Sequence, residues 1–240
     1  MPTGPEAIWH ELECGSYAAD LALWEELADG SSRVLDLGCG SGRVGIHLAE
    51  RGNEVVGVDS DAELVAGFNA RARERQCQAQ AIEADARDLD LGESFDLALA
   101  PMQFLQLLDA EERGKCLQCV AAHLDPGGVF AAALTERFER GEAGDPPPLP
   151  DATDVDGWVY SSLPLEVVGA RDGVAIRRLR QTVSPQGELG AQVSEVLLRE
   201  VSAAELEAEA EAVGLRPAGR REIAATDDHV GSTVVLLEAR

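Results

Sequence analysis

The sequence predicts a doubly wound α/β fold, a mostly parallel sheet with helices on both faces. Two observations carry this. Strand-like and helix-like segments alternate at short spacing from "SRVLDLG" to "DPGGVFAAALT", the pattern of parallel strands joined by crossover helices. The strand-like segments are also short and apolar; "NEVVGVDS" is nearly continuous, as expected of a strand covered on both faces. With 240 residues, 45% of them hydrophobic, the chain can form one full α/β domain or a domain with an insertion. Only 4% are aromatic, so Ala, Leu and Val must fill most of the core.

The elements follow in order. Residues 5–29 read as helical, with Ile8, Leu12, Tyr17, Leu21 and Trp24 at mostly helical spacing, and residues 1–30 form an N-terminal helical cap. "SRVLDLG" is a short buried strand running into a glycine loop, and "GRVGIHLAERG" is a helix ended by Gly52. "NEVVGVDS" is the second strand. In the next helix, "DAELVAGFNARARERQ", Asp61 and Glu63 sit at the N-terminal end, where the dipole favours them. "AQAIEADARDL" carries the third strand and "SFDLALAP" the fourth; residues 109–124 form a helix, and "DPGGVFAAALT" is a turn and the fifth strand. The C-terminal tips of these strands define the ligand face.

After Thr135 the pattern changes. "ERGEAGDPPPLPDATD" is a polar, proline-rich loop, extended and suited to a lid. Three β-rich segments follow, "WVYSSLPLEVV", "VAIRRLRQTVS" and "GAQVSEVLLREV", the last two joined by the turn "SPQGEL" as an antiparallel hairpin. Residues 136–201 are thus a proline-rich loop and inserted antiparallel strands, a lid or a dimer element, within one domain spanning 1–240. "SAAELEAEAEAVG" is a helix with a Ser202/Glu205 capping box and Gly214 at its end. "LRPAGRREIA" and "STVVLLEAR" are the final strands. A parallel sixth strand opens the joining loop, "ATDDHVG", on the ligand face, bringing Thr226, Asp228 and His229 there; a polar turn capped by aspartates is the other reading.

The formal net charge of −24 repels phosphate backbones and anionic lipid, so nucleic acid and membrane partners are not expected. Lys115 is the only lysine, which fits a GC-rich genome or adaptation to salt. No apolar run is long enough to span a bilayer, and "MPTGPEAIWHELECG" has neither a basic n-region nor an apolar h-region, so a cytoplasmic protein is expected. The five cysteines are odd in number and scattered, unlike a disulfide framework. Cys116 and Cys119 form a lone C-x-x-C on an amphipathic helix with no second pair and no suitably spaced His; they read as structural, and no metal is expected.

The stretch "VLDLGCGSGRVG", residues 34–45, carries the chemistry and has two readings. From Gly40 it gives G-x-G-x-x-G (Gly40, Gly42, Gly45), the dinucleotide fingerprint of an NAD(P)-dependent oxidoreductase. From Asp36 it gives D-x-G-x-G-x-G. In both, glycines let the backbone approach a ligand at a helix start. Gly38 already ends the strand, so the first frame starts two residues late, with Gly45 inside the helix. Asp36, a carboxylate at the strand tip, sits badly near a pyrophosphate and suits an ammonium or sulfonium charge. Asp59 ends the second strand about 20 residues on, where an acid bonds ribose hydroxyls in nucleotide folds. Asp85, with the Ala86 N–H, ends the third strand beside the same pocket; a carboxylate plus a neighbouring N–H reads the amino group and N1 of adenine.

"VLDLGCGSG", "VVGVDSD", "EADARDL" and "FDLALA", in this order and spacing, resemble the class I S-adenosylmethionine-dependent methyltransferases. The four motifs span residues 34–100; "LDPGGVF" and the closing strand extend the match to most of the chain. The resemblance implies a Rossmann-like seven-stranded sheet with its last strand antiparallel, S-adenosyl-L-methionine as cofactor, and a small-molecule acceptor methylated at N or O. It also implies roles. Gly38, Cys39 and Gly40 pass under the methionine and ribose moieties, with Asp36 near the loop or the ligand amine. Asp59, flanked by Ser60, holds both ribose hydroxyls, and Asp85 and Ala86 read adenine. The Ala100 carbonyl takes the methionine ammonium, and Tyr17 closes over the methionine end.

"APMQFLQ" after the fourth strand departs from the N-P-P-aromatic signature of nucleic-acid amino methyltransferases, in agreement with the charge. The inserted strands resemble those of small-molecule methyltransferases, including sugar amine N-methyltransferases, where they cover the pocket or build dimers. Methyl transfer from a sulfonium is an in-line displacement, so the protein supplies alignment and excludes water, and a base helps an amine acceptor. His229 is the candidate base. Met102, Gln103 and Phe104 are candidate pocket wall, Met102 toward cofactor and Gln103 toward substrate. Thr226 and Tyr160 are further substrate candidates; Trp158 and Tyr160 form an aromatic lid or a dimer contact. His123 reads as structural, His47 as solvated, and His10 either as lining the pocket or, the preferred reading, as surface-exposed. Arg177, Arg178 and Arg180 read as a basic patch, for an interface or an anionic substrate group. A non-catalytic cofactor-binding domain is the remaining alternative.

Overall fold

The computed structural model describes residues 4–136, 149–226 and 229–240. Seven strands form the main sheet: β1 (Arg33–Leu37), β2 (Glu54–Asp59), β3 (Ala79–Glu83), β4 (Phe95–Ala100), β5 (Leu124–Leu134), β10 (Leu215–Ile223) and β11 (Ser232–Ala239). Their order is β10-β11-β5-β4-β1-β2-β3. β1 to β5 run parallel, while β11 lies antiparallel to both β5 and β10. The sixth strand of this sheet therefore runs with the first five, and the loop after it opens at their C-terminal ends, as the sequence predicts.

Alternation along each strand sorts the core into two layers. Leu35 and Leu37 of β1 face α5 (Ala110–His123) and α6 (Ala203–Ala212) through Cys116, Leu117, Val120, Leu206 and Ala210. Val34 faces α2 (Leu21–Ala28), α3 (Arg43–Ala49) and α4 (Ala62–Arg75) through Trp24, Ile46, Leu48 and Phe68. Asp36 shares the parity of Val34 and so points into this second layer. The helix starts are capped as their sequences predict: Asp61 caps α4, and Asp109 with Glu112 and Ser202 with Glu205 form capping boxes. No described helix is long and apolar enough to cross a membrane.

Two elements differ from expectation. The N-terminal region is two helices, α1 (Pro5–Cys14) and α2, not one. Helix propensity drops at Gly15-Ser16, and Arg43 captures the Tyr17 carbonyl at 2.8 Å, an acceptor that a continuing helix would use for itself. The inserted sheet has four strands: β6 (Asp151–Val155), β7 (Trp158–Ala170), β8 (Gly173–Val183) and β9 (Leu189–Arg199), paired antiparallel in that order. β6 lies at the end of the proline-rich stretch. It is turned onto β7 by Asp156-Gly157, both at positive φ, the Asp-Gly signature of a two-residue hairpin. The lid assigned to the rest of that stretch lies mostly outside the described residues.

Helix α1 lies between the main domain and the inserted sheet. On one side Ala7 packs against Gly67 of α4. On the other, Trp9 meets Tyr160 edge-on, ring centroids 5.0 Å apart, with Arg180 over the Trp9 ring. Glu13 accepts from Ser162 Oγ at 2.7 Å and from Arg180 at 2.8 and 2.9 Å. Burial alone would raise the Glu13 pKa; the hydrogen bonds from Arg180 and Ser162 outweigh it and hold the carboxyl below its ordinary range.

Candidate functional site

The site begins where β1 ends. Gly38, Gly40 and Gly42 follow with φ of +63°, +54° and +93°, a left-handed run that only glycine adopts without strain, and Gly42 caps α3. A Cβ on Gly38 would lie 2.3 Å from the Phe104 ring, and one on Gly40 would lie 2.3 Å from His10 Nε2. Cys39 holds the loop through its backbone, its N–H donating to the Val58 carbonyl at 3.1 Å. Its thiol is buried, which pushes its pKa well above the ordinary value.

Gly45 lies in the first turn of α3, where a Cβ would come 2.9 Å from Asp36 Oδ2 and 3.0 Å from Phe68. It allows close helix–strand packing, a role the third glycine of a dinucleotide fingerprint also plays, so its place in the helix does not separate the two readings. The strand turn does. Gly38 makes it, two residues ahead of the G-x-G-x-x-G frame.

Asp59, at the tip of β2, accepts the Gly40 N–H on Oδ2 at 2.9 Å and the Asp61 N–H on Oδ1 at 3.0 Å. One lone pair on each oxygen remains for a ligand. Ser60 beside it is exposed. Ala86 is buried, and Asp85 is exposed and held by Arg87, whose Nε and Nη2 reach it at 2.6 to 3.0 Å. Arg87 also pairs with Glu112. The hydrogen bonds from Arg87 lower the Asp85 pKa. The Asp85 carboxylate, the expected adenine reader, is thus already engaged by Arg87.

Asp36 is not on the ligand surface, which corrects the second of its two expected places, near the loop or at the ligand amine. It is 1% exposed, beneath α3, and neither carboxylate oxygen has a well-formed hydrogen bond. Burial raises its pKa to about 7; the Arg43 charge and the nearby Gly45 N–H offset only part of the desolvation.

Tyr17 sits in the link between α1 and α2, buried, not on a helix. Arg43 lies over its ring (5.0 Å to the centroid), and the His229 ring packs against it (4.6 Å between centroids). Arg43 is fixed by two bonds to Asp20 of 2.6 and 2.7 Å, and Asp20 also accepts from Trp24 Nε1 at 2.8 Å. This buried pair ties the N-terminal segment to the first residue of α3, at the edge of the glycine loop. It went unpredicted because Asp20 and Arg43 are charges distant in sequence, each ordinary alone. His229 donates its backbone N–H to Thr226 Oγ1 at 3.0 Å, so the Thr226 hydroxyl serves the turn. Asp228 lies outside the described residues.

Ala100, fully buried, ends β4. Met102 and Gln103 then take φ of +49° and +60°, two consecutive left-handed residues that are not glycine. Gln103 Nε2 donates to Ser232 Oγ at 3.1 Å, tying this strained turn to the start of β11. Strain of this kind at a strand tip concentrates at functional sites.

Other expectations are redirected. Tyr160 faces Trp9 rather than Trp158, which is exposed. The basic patch is neutralised: Arg177 pairs with Glu166 and Glu195, Arg178 with Asp151 and Glu13, and Arg180 with Glu13 and Glu6. His47 pairs with Glu25 at 2.5 Å. His123 is structural, accepting the Leu91 N–H at 2.9 Å, and Cys116 is buried. No metal-binding cluster of His, Cys, Asp and Glu occurs among the described residues. Of the two readings of His10 the structure disfavours the exposed one: the ring lies over Gly40 and is bonded through Nδ1 to Ser41 Oγ at 3.1 Å. A cleft of about 580 Å³ lined by Glu25, Asp29, Arg51 and Asn53 lies at the other end of the sheet, before β1 and β2, and takes no part.

Residues 34–128 match a family model described as a methyltransferase domain. The chain is 35% identical over 112 residues to a cypemycin N-terminal methyltransferase of Streptomyces, covering 46% of this chain and 45% of that one. It is 32% identical over 105 residues to a ubiquinone biosynthesis O-methyltransferase of Nitrobacter winogradskyi, covering 44% and 39%. The chain thus spans less than half the length of these curated relatives. Among solved structures, a sugar N-methyltransferase from Streptoalloteichus superposes with a TM-score of 0.73 at 20% identity, over 97% of this chain and 91% of that one. An S-adenosylmethionine-bound amino pentose methyltransferase from Micromonospora echinaspora gives 0.71 at 21%, over 95% and 96%. At these identities the likeness is one of fold.

Proposed function

We propose that this chain, whose residues 34–128 form a class I methyltransferase domain, is an S-adenosylmethionine-dependent methyltransferase acting on a small molecule at nitrogen or oxygen. The observation that carries this reading is the pairing of Asp59 with Gly40 at the tips of β2 and β1, in a seven-stranded sheet whose last strand is antiparallel. The residues fit the cofactor. The glycine loop has the shape that lets a nucleoside approach the backbone, and Asp59 keeps an acceptor free on each oxygen. S-adenosylmethionine supplies a methyl group on a sulfonium.

The chain's own residues bind and orient. Gly38 and Gly40 line the approach, Asp59 accepts from the ribose, and Ala86 N–H with Asp85 faces adenine. Tyr17, packed against Arg43 and His229, closes the methionine end. Met102 and Gln103 shape the acceptor side with Thr226, and His229 takes up the proton of an amine or hydroxyl acceptor. The net charge of −24 draws cationic acceptors inward, which favours an amine.

The inserted sheet has one face on α1. The other carries two apolar ladders across β7, β8 and β9: Val159, Val183, Leu189 and Leu163, Leu179, Val193. Leu189 and Val193 are 67% and 61% exposed, and an apolar face of this kind on so acidic a protein suits a second copy of the chain across a two-fold axis. Incubation with labelled S-adenosylmethionine and panels of amines and phenols, scored by S-adenosylhomocysteine release, tests the activity. Turnover of neither class would refute it.

A further inference from the structure

His10 stands at the glycine loop with one ring nitrogen committed and the other bare. Its Nδ1 lies 3.1 Å from Ser41 Oγ, and Ser41 Oγ lies 3.3 Å from Glu11 Oε2. The same Glu11 oxygen accepts from Arg71 Nη2 at 2.6 Å, and toward Ser41 it is again the acceptor. The single Ser41 hydroxyl hydrogen therefore goes to Glu11, and Ser41 accepts from His10. This assigns the proton to Nδ1 and leaves Nε2 with a lone pair.

That lone pair is at the site. Nε2 and Cε1 are the ring atoms nearest Gly40, 2.3 and 2.4 Å from where its Cβ would lie, and the Gly40 N–H is the one bound by Asp59. The imidazole also feels the Asp59 charge. Burial lowers the His10 pKa more than Asp59 and Glu11 raise it, with Arg43 and Arg71 adding to the lowering, so the ring stays neutral near pH 7. Asp59 and His10 thus place two kinds of acceptor, a carboxylate and a neutral imidazole, on either side of Gly40.

We propose that His10 is a ribose-positioning residue: its Nε2 accepts a hydrogen bond from one ribose hydroxyl of the bound nucleoside while Asp59 accepts from the other. The inference rests on the cofactor reading above. It also gives α1 a purpose. The helix is held by the inserted sheet through Trp9 on Tyr160 and Glu13 on Arg180, so the insertion sets where His10 stands.

The test measures the binding of S-adenosylhomocysteine and of its 2′-deoxy and 3′-deoxy analogues to wild type, His10→Leu and His10→Gln. Leu keeps the bulk without an acceptor, and Gln returns an acceptor near Nε2. Thermal melts without ligand check folding. Wild type is expected to lose about 2- to 10-fold on the analogue that lacks the hydroxyl facing His10, while the other analogue loses its bond to Asp59 in every variant. His10→Leu should bind the parent weaker by a similar factor and no longer distinguish that analogue, and His10→Gln should recover part of the discrimination. If His10→Leu weakens all three ligands equally, or changes none, His10 only packs α1 and the proposal is overturned. If wild type binds none of the three, the cofactor reading itself fails and takes this assignment with it.

Discussion

Asp59 Oδ2 accepts the Gly40 N–H at 2.9 Å and so fastens the tip of β2 to the loop that leaves β1. The same carboxylate that would bind ribose also shapes the loop that would run beneath it. Asp59→Ala should therefore weaken S-adenosylhomocysteine binding by about 10- to 100-fold, the range for hydrogen bonds to a charged group. Unchanged affinity by calorimetry would refute the ribose assignment.

Asp36 links the site to stability. Its folded pKa, raised by burial to about 7, lies above the 3.8 of a free aspartate, so between these values the folded state binds the extra proton. Stability therefore falls as pH rises from about 4 to about 7 and stays lowered above that, by on the order of 2–4 kcal/mol. Asp36→Asn removes the titration. Urea unfolding should find the variant close to wild type at pH 4 and more stable at pH 8; equal stabilities at both would show that the buried charge carries no penalty.

The Asp20–Arg43 pair is buried, and removing one partner leaves the other uncompensated. Asp20→Asn is expected to cost about 3–5 kcal/mol of unfolding free energy. The loss should be smaller in an Arg43→Met background, because there is no cation left to strand. Additive losses in that double-mutant cycle would mean the pair is not coupled.

At Met102 and Gln103 the backbone is already where glycine is comfortable. Gln103→Gly should leave the melting temperature unchanged or raised, since relief of left-handed strain, about 1–2 kcal/mol, offsets the entropy of added freedom. Turnover should fall, because the turn forms part of the acceptor wall. A melting temperature lowered as far as for a glycine in an exposed helix would contradict the strain at this turn.

The apolar ladders of the inserted sheet predict a dimer. Light scattering should give twice the chain mass for wild type and the monomer mass for Leu189→Arg combined with Val193→Arg. A monomeric wild type would remove the dimer from the account.

The succession of strands and helices was readable because each strand is a local apolar run and each crossover helix has local periodicity and caps. The glycine loop and Asp59 were readable for the same reason: their spacing is short. What escaped depends on contacts across the chain. Glu13 and Arg180 are 167 residues apart, yet their bond converts an apparent basic patch into a neutral seam. His10 looked exposed because nothing near it in sequence reveals that α1 is pressed onto the loop by the inserted sheet. β6 did leave a local trace, the Asp-Gly at 156–157, masked by the proline-rich stretch before it. The break between α1 and α2 follows from Arg43 reaching back to the Tyr17 carbonyl, which no helical periodicity records.

The most direct measurement is calorimetric titration of the purified chain with S-adenosylhomocysteine and, in parallel, with NAD(H). Saturable 1:1 binding of S-adenosylhomocysteine, lost in Asp59→Ala, with no heat from NAD(H), is the predicted result. Binding of NAD(H) without S-adenosylhomocysteine would mean that the Gly40-Gly42-Gly45 frame governs the loop after all, and would contradict the account.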